Sequence, residues 1–371
     1  MKILFIDNAG IRKEGDKFYC EPNTGKFASE LQQLGNDITL FGQIVDNIDE
    51  VHKFDLLENN ITIKVKKRKR NKIYNYICLY LKVLVIINKF DFIYIFYPNS
   101  FKYIALIAKI FNVRYGLYIR GEKGFYSKTS QWIYKNSSIV FTISEQFTQY
   151  IKNISQKTIA LTVRPMISYT NKDIEYNRNY NRSKNVTKIL FLARITFEKG
   201  IKELLNAINI LNDKGYNIHL TIVGDGEDMC SVRKLVNSLS LNNIVTITGA
   251  IYNNNIKKEY FLNSDLYILP TYHEGFPRTL YEAMIFGTPI ITTFVGTIPF
   301  LMKDEYNCKK IQPQSIDSII EVLEFAINNP TLMEMYARNA IKTVESIFDS
   351  NRLSHAEELN MYLNSISQSL S

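Results

Sequence analysis

The chain is poor in the residues from which redox centres and metal sites are built. Its 371 residues include four cysteines, Cys20, Cys78, Cys230 and Cys308, and four histidines, His52, His219, His273 and His355. The cysteines are widely scattered and form no CxxC pair, which excludes a zinc ribbon or a disulfide framework and fits a reducing compartment. No DxD stands after a strand, so a tightly held metal is not expected. The glycines make no dinucleotide fingerprint, because "GDGEDM" has Met229 where the third glycine would fall. A long uncharged apolar run is missing as well. "MKILFID" is too short for a signal peptide. The most apolar stretch, "IYNYICLYLKVLVIINKFDFIYIFYP", is broken by Lys82, Lys89 and Asp91, whereas a membrane span needs roughly 20 nearly uncharged residues.

Apolar residues, at 46%, are plentiful enough for a sizeable core. The length suits two domains. Short apolar runs alternate with helical segments: "KILFID", "DITLFG", "DFIYIFY", "YGLYIR", "SIVFTIS" and "TIALTV", then "KILFLA", "IHLTIVG", "IVTITG", "LYILP" and "PIITT". Most are apolar at every position, as in parallel strands covered by helices on both faces. The expected fold is therefore α/β, with two doubly wound Rossmann-like parallel-sheet domains facing a cleft. The boundaries read as 1–168, a polar linker 169–187, a second domain 188–345, and a C-terminal helix 346–371 as a candidate to cross back. In such sheets ligands sit at the carboxyl ends of the strands.

Charge is uneven. Residues 1–165 carry 25 Lys and Arg against 14 Asp and Glu, and the remainder 20 against 22. The excess centres on "KVKKRKRNK", 64–72, which attracts polyanions or else is a solvated loop without a partner. After it we expect a basic amphipathic helix at about 72–89 and a buried strand at 91–97. This pair can rest on an anionic membrane surface without crossing it, an ordinary core helix being the plain alternative.

The chemistry concentrates in "HEGFPRTLYEAMIFGTP", 273–289. Pro277 suits the first position of a helix and Gly287 its C-terminal cap, giving a helix of roughly 277–286. Its N-terminal amides and dipole make an anion site. Glu274 stands before that site and Glu282 about 7–8 Å inside the helix. A phosphate at the helix start is thus flanked by two carboxylates, a layout that fits a nucleoside diphosphate sugar, with hydroxyls at both ends. Structural pairing of each glutamate with a Lys or Arg is the alternative. "ARITFEKG" places Arg194 at a strand end and Lys199 before the next helix, two cations suited to a diphosphate. Gly224 and Gly226 in "VGDGED" permit a tight turn and close backbone approach.

Together these pieces resemble the retaining glycosyltransferases of family 4, with the GT-B architecture. The carrying residues are the E-x7-E pair Glu274 and Glu282, "ARITFEKG", "VGDGED" and "VGTIP", 295–299. The resemblance covers roughly 188–300 well and the N-terminal half by topology. It implies that Glu282 binds ribose hydroxyls and that Glu274 binds donor-sugar hydroxyls near the reacting carbon. It also implies that Arg194 and Lys199 hold the diphosphate, with amides after Gly275, those of Phe276, Arg278 and Thr279, completing the cradle. The leaving diphosphate would help deprotonate the acceptor on the same face, so the pair is not a glycosidase acid and base. On the acceptor side the candidates are Gly10, and Arg120 and Glu122 of "YIRGEKG", where many members carry a His.

The expectation is a metal-independent hexosyltransferase without a cofactor. Its co-substrate is a nucleotide diphosphate sugar, UDP favoured over GDP. Its acceptor is a lipid-linked or oligosaccharide glycan of bacterial O-antigen or capsule synthesis. It is expected in the cytoplasm, peripheral on the inner face of the plasma membrane. Two alternatives stay open: a nucleotide-sugar epimerase of the same fold, and a nucleic-acid-binding protein using 64–72, although no nucleic-acid partner is expected.

Overall fold

A computed structural model describes residues 1–45, 52–98, 101–122, 124–164, 166–180, 185–275, 277–348 and 353–368. Two units divide the chain. Residues 1–168 together with 351–371 form the first, and 169–350 the second.

In the first unit, β1 (Lys2–Ile6) lies centrally between β4 (Asp37–Val45) and β7 (Phe92–Tyr97), and all three run parallel. Beyond β7 follow β8 (Arg114–Ile119), β9 (Ile139–Thr142) and β10 (Ile159–Thr162), also parallel. β7, "FIYIFY", is buried at all six positions, which explains its continuous apolar pattern. The core is aromatic. Phe5, Tyr94, Phe96, Tyr118 and Phe141 meet Phe27 of the helix Pro22–Gln33 and His355 of the helix His355–Gln368. The His355 imidazole is buried, and its Nε2 lies 2.5 Å from the Tyr94 hydroxyl. The last helix is thus an integral part of this unit.

Four strands fall where the sequence suggests loops. β2 (Ile11–Glu14) and β3 (Lys17–Cys20) form an antiparallel hairpin turned by Gly15 and Asp16, with Gly15 at φ +57°. β5 (Phe54–Asp55) pairs with β3. β6 (Thr62–Lys67) pairs parallel with β4, so the first four residues of the basic run 64–72 are strand and not solvated loop. The helix expected at 72–89 spans Lys72–Ile86 and continues as a 3-10 turn to Lys89. The strand expected at 91–97 is Phe92–Tyr97, buried at all six positions as the sequence suggests, so the helix alone of that pair is left to meet a membrane surface.

The second unit is a six-stranded parallel sheet in the order β13 (Val245–Gly249), β12 (Ile218–Val223), β11 (Thr187–Leu192), β14 (Leu266–Leu269), β15 (Ile290–Thr293), β16 (Lys309–Ile311). Ile189, Phe191, Leu220, Ile222 and Ile268 pack with Leu204, Leu205 and Ile208 from the helix Ile201–Asp213. The first two strands after β11 build outward on one side and the rest on the other, placing a topological switch between β11 and β14.

The polar stretch read as a linker, 169–187, is held to this unit over its described residues rather than swinging free. The buried Arg178 guanidinium donates to the carbonyls of Phe261, Leu262, Ser264 and Phe286 and to the Thr288 hydroxyl at 2.6–3.4 Å. Glu175 N–H donates to Ile285 O at 2.8 Å, and Tyr180 OH to Gly287 O at 2.9 Å. These carbonyls lie at the C-terminal ends of the helices Asn254–Leu262 and Arg278–Ile285, where backbone acceptors lack helical partners.

Candidate functional site

Three strand-end loops of the second unit interlock. Gly200, at φ +73°, lets the loop after β11 reach the end of β14: a Cβ there would stand 2.0 Å from Pro270 O. Gly296 does the same against Glu274, where a Cβ would stand 1.9 Å from its carbonyl oxygen. Tyr272 N–H donates to Glu198 O at 2.8 Å, Thr293 Oγ1 to Thr271 O at 2.6 Å and Thr297 Oγ1 to Gly275 O at 2.6 Å. These hydrogen bonds to backbone carbonyls fix the loop that carries Glu274.

The helix behind that loop is Arg278–Ile285. Pro277 is its N-cap and not its first residue, because ψ 83° takes it outside helical geometry. Gly287, at φ +61°, lies just beyond its C-terminal end, as the sequence suggests. Among the described residues no side chain caps the N-terminus. The Thr279 hydroxyl accepts from Tyr267 OH at 2.5 Å, which fixes the first turn. Phe276 lies outside the described residues, and Arg278 and Thr279 are half-buried at the mouth.

Both glutamates have lysine partners. Glu274 Oε1 accepts a short hydrogen bond from Lys199 Nζ, which also points at His273 O, 3.4 Å away. Lys199, expected from the resemblance to hold a diphosphate, is a counter-ion to Glu274 in this structure. Glu282 is 7% exposed. Its Oε1 lies 3.0 Å from Lys257 Nζ, on the neighbouring helix Asn254–Leu262. Its Oε2 is buried with no hydrogen-bond partner. Burial pushes the Glu282 carboxyl above the usual carboxylate range, and the charge and hydrogen bond of Lys257 pull it back. Lys257 also lies 5.7 Å from the Tyr169 ring centre.

Arg194 is exposed just after β11 and has no ion-pair partner among the described residues. Gly224 and Gly226 do not offer the backbone to a ligand as expected. Gly224, at φ +147°, packs against Ala193, where a Cβ would stand 1.9 Å from the carbonyl oxygen. Gly226 meets Ile195 O, 2.3 Å from its Cβ position. Their amides are also taken, Gly224 N–H by Gly249 O at 2.9 Å and Gly226 N–H by Asp225 Oδ1 at 2.7 Å. These glycines shape the Arg194 loop from behind.

In the first unit a second polar cluster sits at the carboxyl end of β1. Arg120 Nη2 lies 3.1 Å from Asp7 Oδ1, and Asp7 Oδ2 accepts from Thr24 Oγ1 at 2.8 Å. Arg120 also covers the Phe96 ring at 4.6 Å. Glu122 is exposed, so the acid that holds Arg120 is Asp7. Gly10 takes φ +87°, and a Cβ there would meet Val45 at 3.0 Å. It turns the chain into the β2–β3 hairpin. Lys257 and Asp7 were missed in the sequence. Asp7 had a signal, an acid closing the first buried strand. Lys257 had none beyond the need of Glu282 for a cation.

The chain is similar to known proteins in sequence and in fold. The family model for glycosyl transferases group 1 matches residues 173–343. An uncharacterized glycosyltransferase of Methanocaldococcus jannaschii is 26% identical over 257 residues, covering 67% of this chain and 65% of that protein. Protein CapJ of Staphylococcus aureus is 22% identical over 373 residues, covering 95% of this chain and 92% of its own length. The capsular polysaccharide biosynthesis glycosyltransferase CapM of the same species is 29% identical over 166 residues, 43% of this chain and 42% of CapM. The chain thus spans under two thirds of the first and third of these relatives. Sucrose-phosphate synthase from Thermosynechococcus elongatus superposes with TM-score 0.71 at 16% identity, covering 100% of this chain and 98% of that one. Anabaena HepE in complex with UDP superposes with TM-score 0.69 at 16% identity, covering 100% of both chains. The fold is that of the GT-B glycosyltransferases, with Rossmann-like units. The family model and two of these three relatives are described as glycosyltransferases.

Proposed function

We propose that the protein is a retaining glycosyltransferase of family 4. It would move a hexose or N-acetylhexosamine from a nucleoside diphosphate sugar to a lipid-linked glycan in bacterial capsule or O-antigen synthesis. One observation carries the donor half. Among the described residues, Glu282 presents a buried oxygen without a partner, inside a helix whose N-terminus no side chain caps. An unpaired buried carboxylate oxygen is costly unless a ligand donates to it, and a ribose hydroxyl is such a donor. The diphosphate would lie at the helix start, opposite the exposed Arg194. Lys199 has three donors, of which Glu274 and the His273 carbonyl take two, leaving one for phosphate. Glu274 then faces the donor sugar with its charge already balanced.

In this reading the protein stabilises charge on the departing diphosphate, and that diphosphate takes the acceptor proton on the face from which it leaves. The reaction is proposed to need no cofactor and no metal, since Arg194, Lys199 and the helix supply the positive charge. HepE is described with UDP and with UDP-glucose, which favours UDP as the nucleotide here. The CapM match favours a capsule setting. Arg120 and Glu122 remain the acceptor-side candidates, Arg120 through N–H groups beyond its bond to Asp7. The proposal includes a cytoplasmic location at the inner membrane face. Among the described residues no helix is long and apolar enough to cross a membrane.

The test is a thermal-shift panel of UDP-, GDP- and ADP-sugars on the native chain and on Glu282→Gln, with turnover repeated in EDTA. One nucleotide should raise the melting temperature of the native chain, and the variant should lose most of that shift. A shift of equal size in both, or an epimerised donor as the main product, would overturn the assignment.

A further inference from the structure

The first unit carries an apolar face that none of its described residues covers. On the helix Lys72–Ile86, Leu79 and Val83 point into the core, while Ile73, Ile77, Leu81, Leu84 and Val85 point outward. Their spacing puts them along one side of the helix. Ile73 is 75% exposed and Val85 76%. The helix Ile104–Ile110 lies alongside, joined through the rings of Tyr80 and Tyr103 at 6.4 Å. It adds Leu106 and Ile110, the latter 72% exposed. Two neighbouring helices thus present one continuous apolar surface, larger than the scattered exposed residues of an ordinary surface.

Its rim is basic. From Ile61 to Gly121 the sequence holds 13 Lys and Arg and one acid, Asp91. Lys64, Arg68, Lys69 and Arg70 are exposed, and the run is fastened to the helix rather than trailing from it. Lys69 N–H donates to Asn75 Oδ1 at 2.9 Å, and the Lys69 ammonium covers the Tyr74 ring at 4.6 Å. On the second helix Lys109 is exposed beside Ile110.

We infer that this two-helix face docks the first unit on an anionic lipid surface, with Ile73, Ile77, Leu81, Val85, Leu106 and Ile110 entering the headgroup boundary and the basic run meeting lipid phosphates. Charge selects this occupant over a second copy of the chain. A symmetric dimer through the face would bring one basic rim against another. The surface goes beyond the donor reading and does not depend on it, since binding to lipid needs no sugar transfer.

The experiment is flotation of the full chain with phosphatidylcholine vesicles, with and without phosphatidylglycerol. Ile77→Glu/Leu81→Glu changes the apolar face, and Arg68→Glu/Arg70→Glu changes the rim. All four positions are exposed, and unchanged circular dichroism and nucleotide-sugar turnover confirm folding. The native chain should float with anionic vesicles. The face variant should bind at least roughly tenfold more weakly. The rim variant should lose roughly fivefold for each positive charge removed, and with it the preference for anionic lipid. A native chain that ignores anionic vesicles, variants that bind as well as the native chain, or a native dimer that the face variant splits would each overturn the inference. Turnover without vesicle binding overturns this surface alone, and vesicle binding without turnover overturns the donor reading alone.

Discussion

Lys257→Met keeps most of the side-chain stem and removes the ammonium that faces Glu282. The two groups stand 3.0 Å apart, with side chains only 16% and 9% exposed, so solvent screens them little. Deleting one member of such a pair leaves an uncompensated buried charge, and the expected cost is about 3–5 kcal/mol. That is a large part of the about 5–15 kcal/mol that holds a typical domain folded. The sign with pH follows from burial, which already holds the Glu282 carboxyl above its unfolded value. A carboxyl raised in the folded state contributes stability at low pH and loses it as pH rises through the folded pKa. Without Lys257 the carboxyl rises further, so the deficit should be largest near about pH 8 and shrink toward about pH 5. Adding Glu282→Gln should restore much of the loss, which makes the pair a double-mutant cycle. The single tryptophan, Trp132, lies in the first unit, so its fluorescence cannot report this unfolding. Hydrogen exchange of the helices Asn254–Leu262 and Arg278–Ile285 can. The reasoning fails if Lys257→Met costs under about 1 kcal/mol, or if Glu282→Gln adds its full loss on top.

Two further outcomes follow from the geometry. Burial, with the Arg120 charge, holds the His355 imidazole down to about 3, so the first unit should lose stability as pH falls below the unfolded value of about 6.5. The slope should approach about 1.4 kcal/mol per pH unit, and Trp132 fluorescence in urea should show it flattened in His355→Gln. Gly296→Ala would force a Cβ to within 1.9 Å of Glu274 O. Calorimetry should show the affinity for nucleotide sugar falling while that for the free nucleoside diphosphate stays within roughly twofold.

The central strands were legible because burial on both faces leaves a run such as "FIYIFY" no polar position. The strands that escaped are short or charged. β6, with Lys64, Lys66 and Lys67, pairs with β4, and lysines of this kind blunt the outer strand of a sheet. What marks an edge in the structure therefore reads as a loop in the sequence. In the site, Glu282 stood out as a carboxylate in an apolar stretch, but the sequence shows only that it needs a partner. Lys257, 25 positions away, becomes its neighbour through the packing of two helices. Gly224 and Gly226 signalled close approach correctly, yet the approaching group is the loop at Ala193 and Ile195. Arg178 was hidden for a related reason. Its burial is achieved by backbone carbonyls, which leave no trace in side-chain pattern.

Arg178 also decides where the second unit begins. A fragment started at residue 188, where the apolar strands resume, would leave the tail ends of two helices with bare carbonyls and without the cation that ties them together. Those helices are the ones bearing Lys257 and Glu282, so the damage would reach that ion pair as a misaligned acid. A fragment meant to stand alone should start at Tyr169, with the polar stretch around Arg178 kept as the clasp of the second unit.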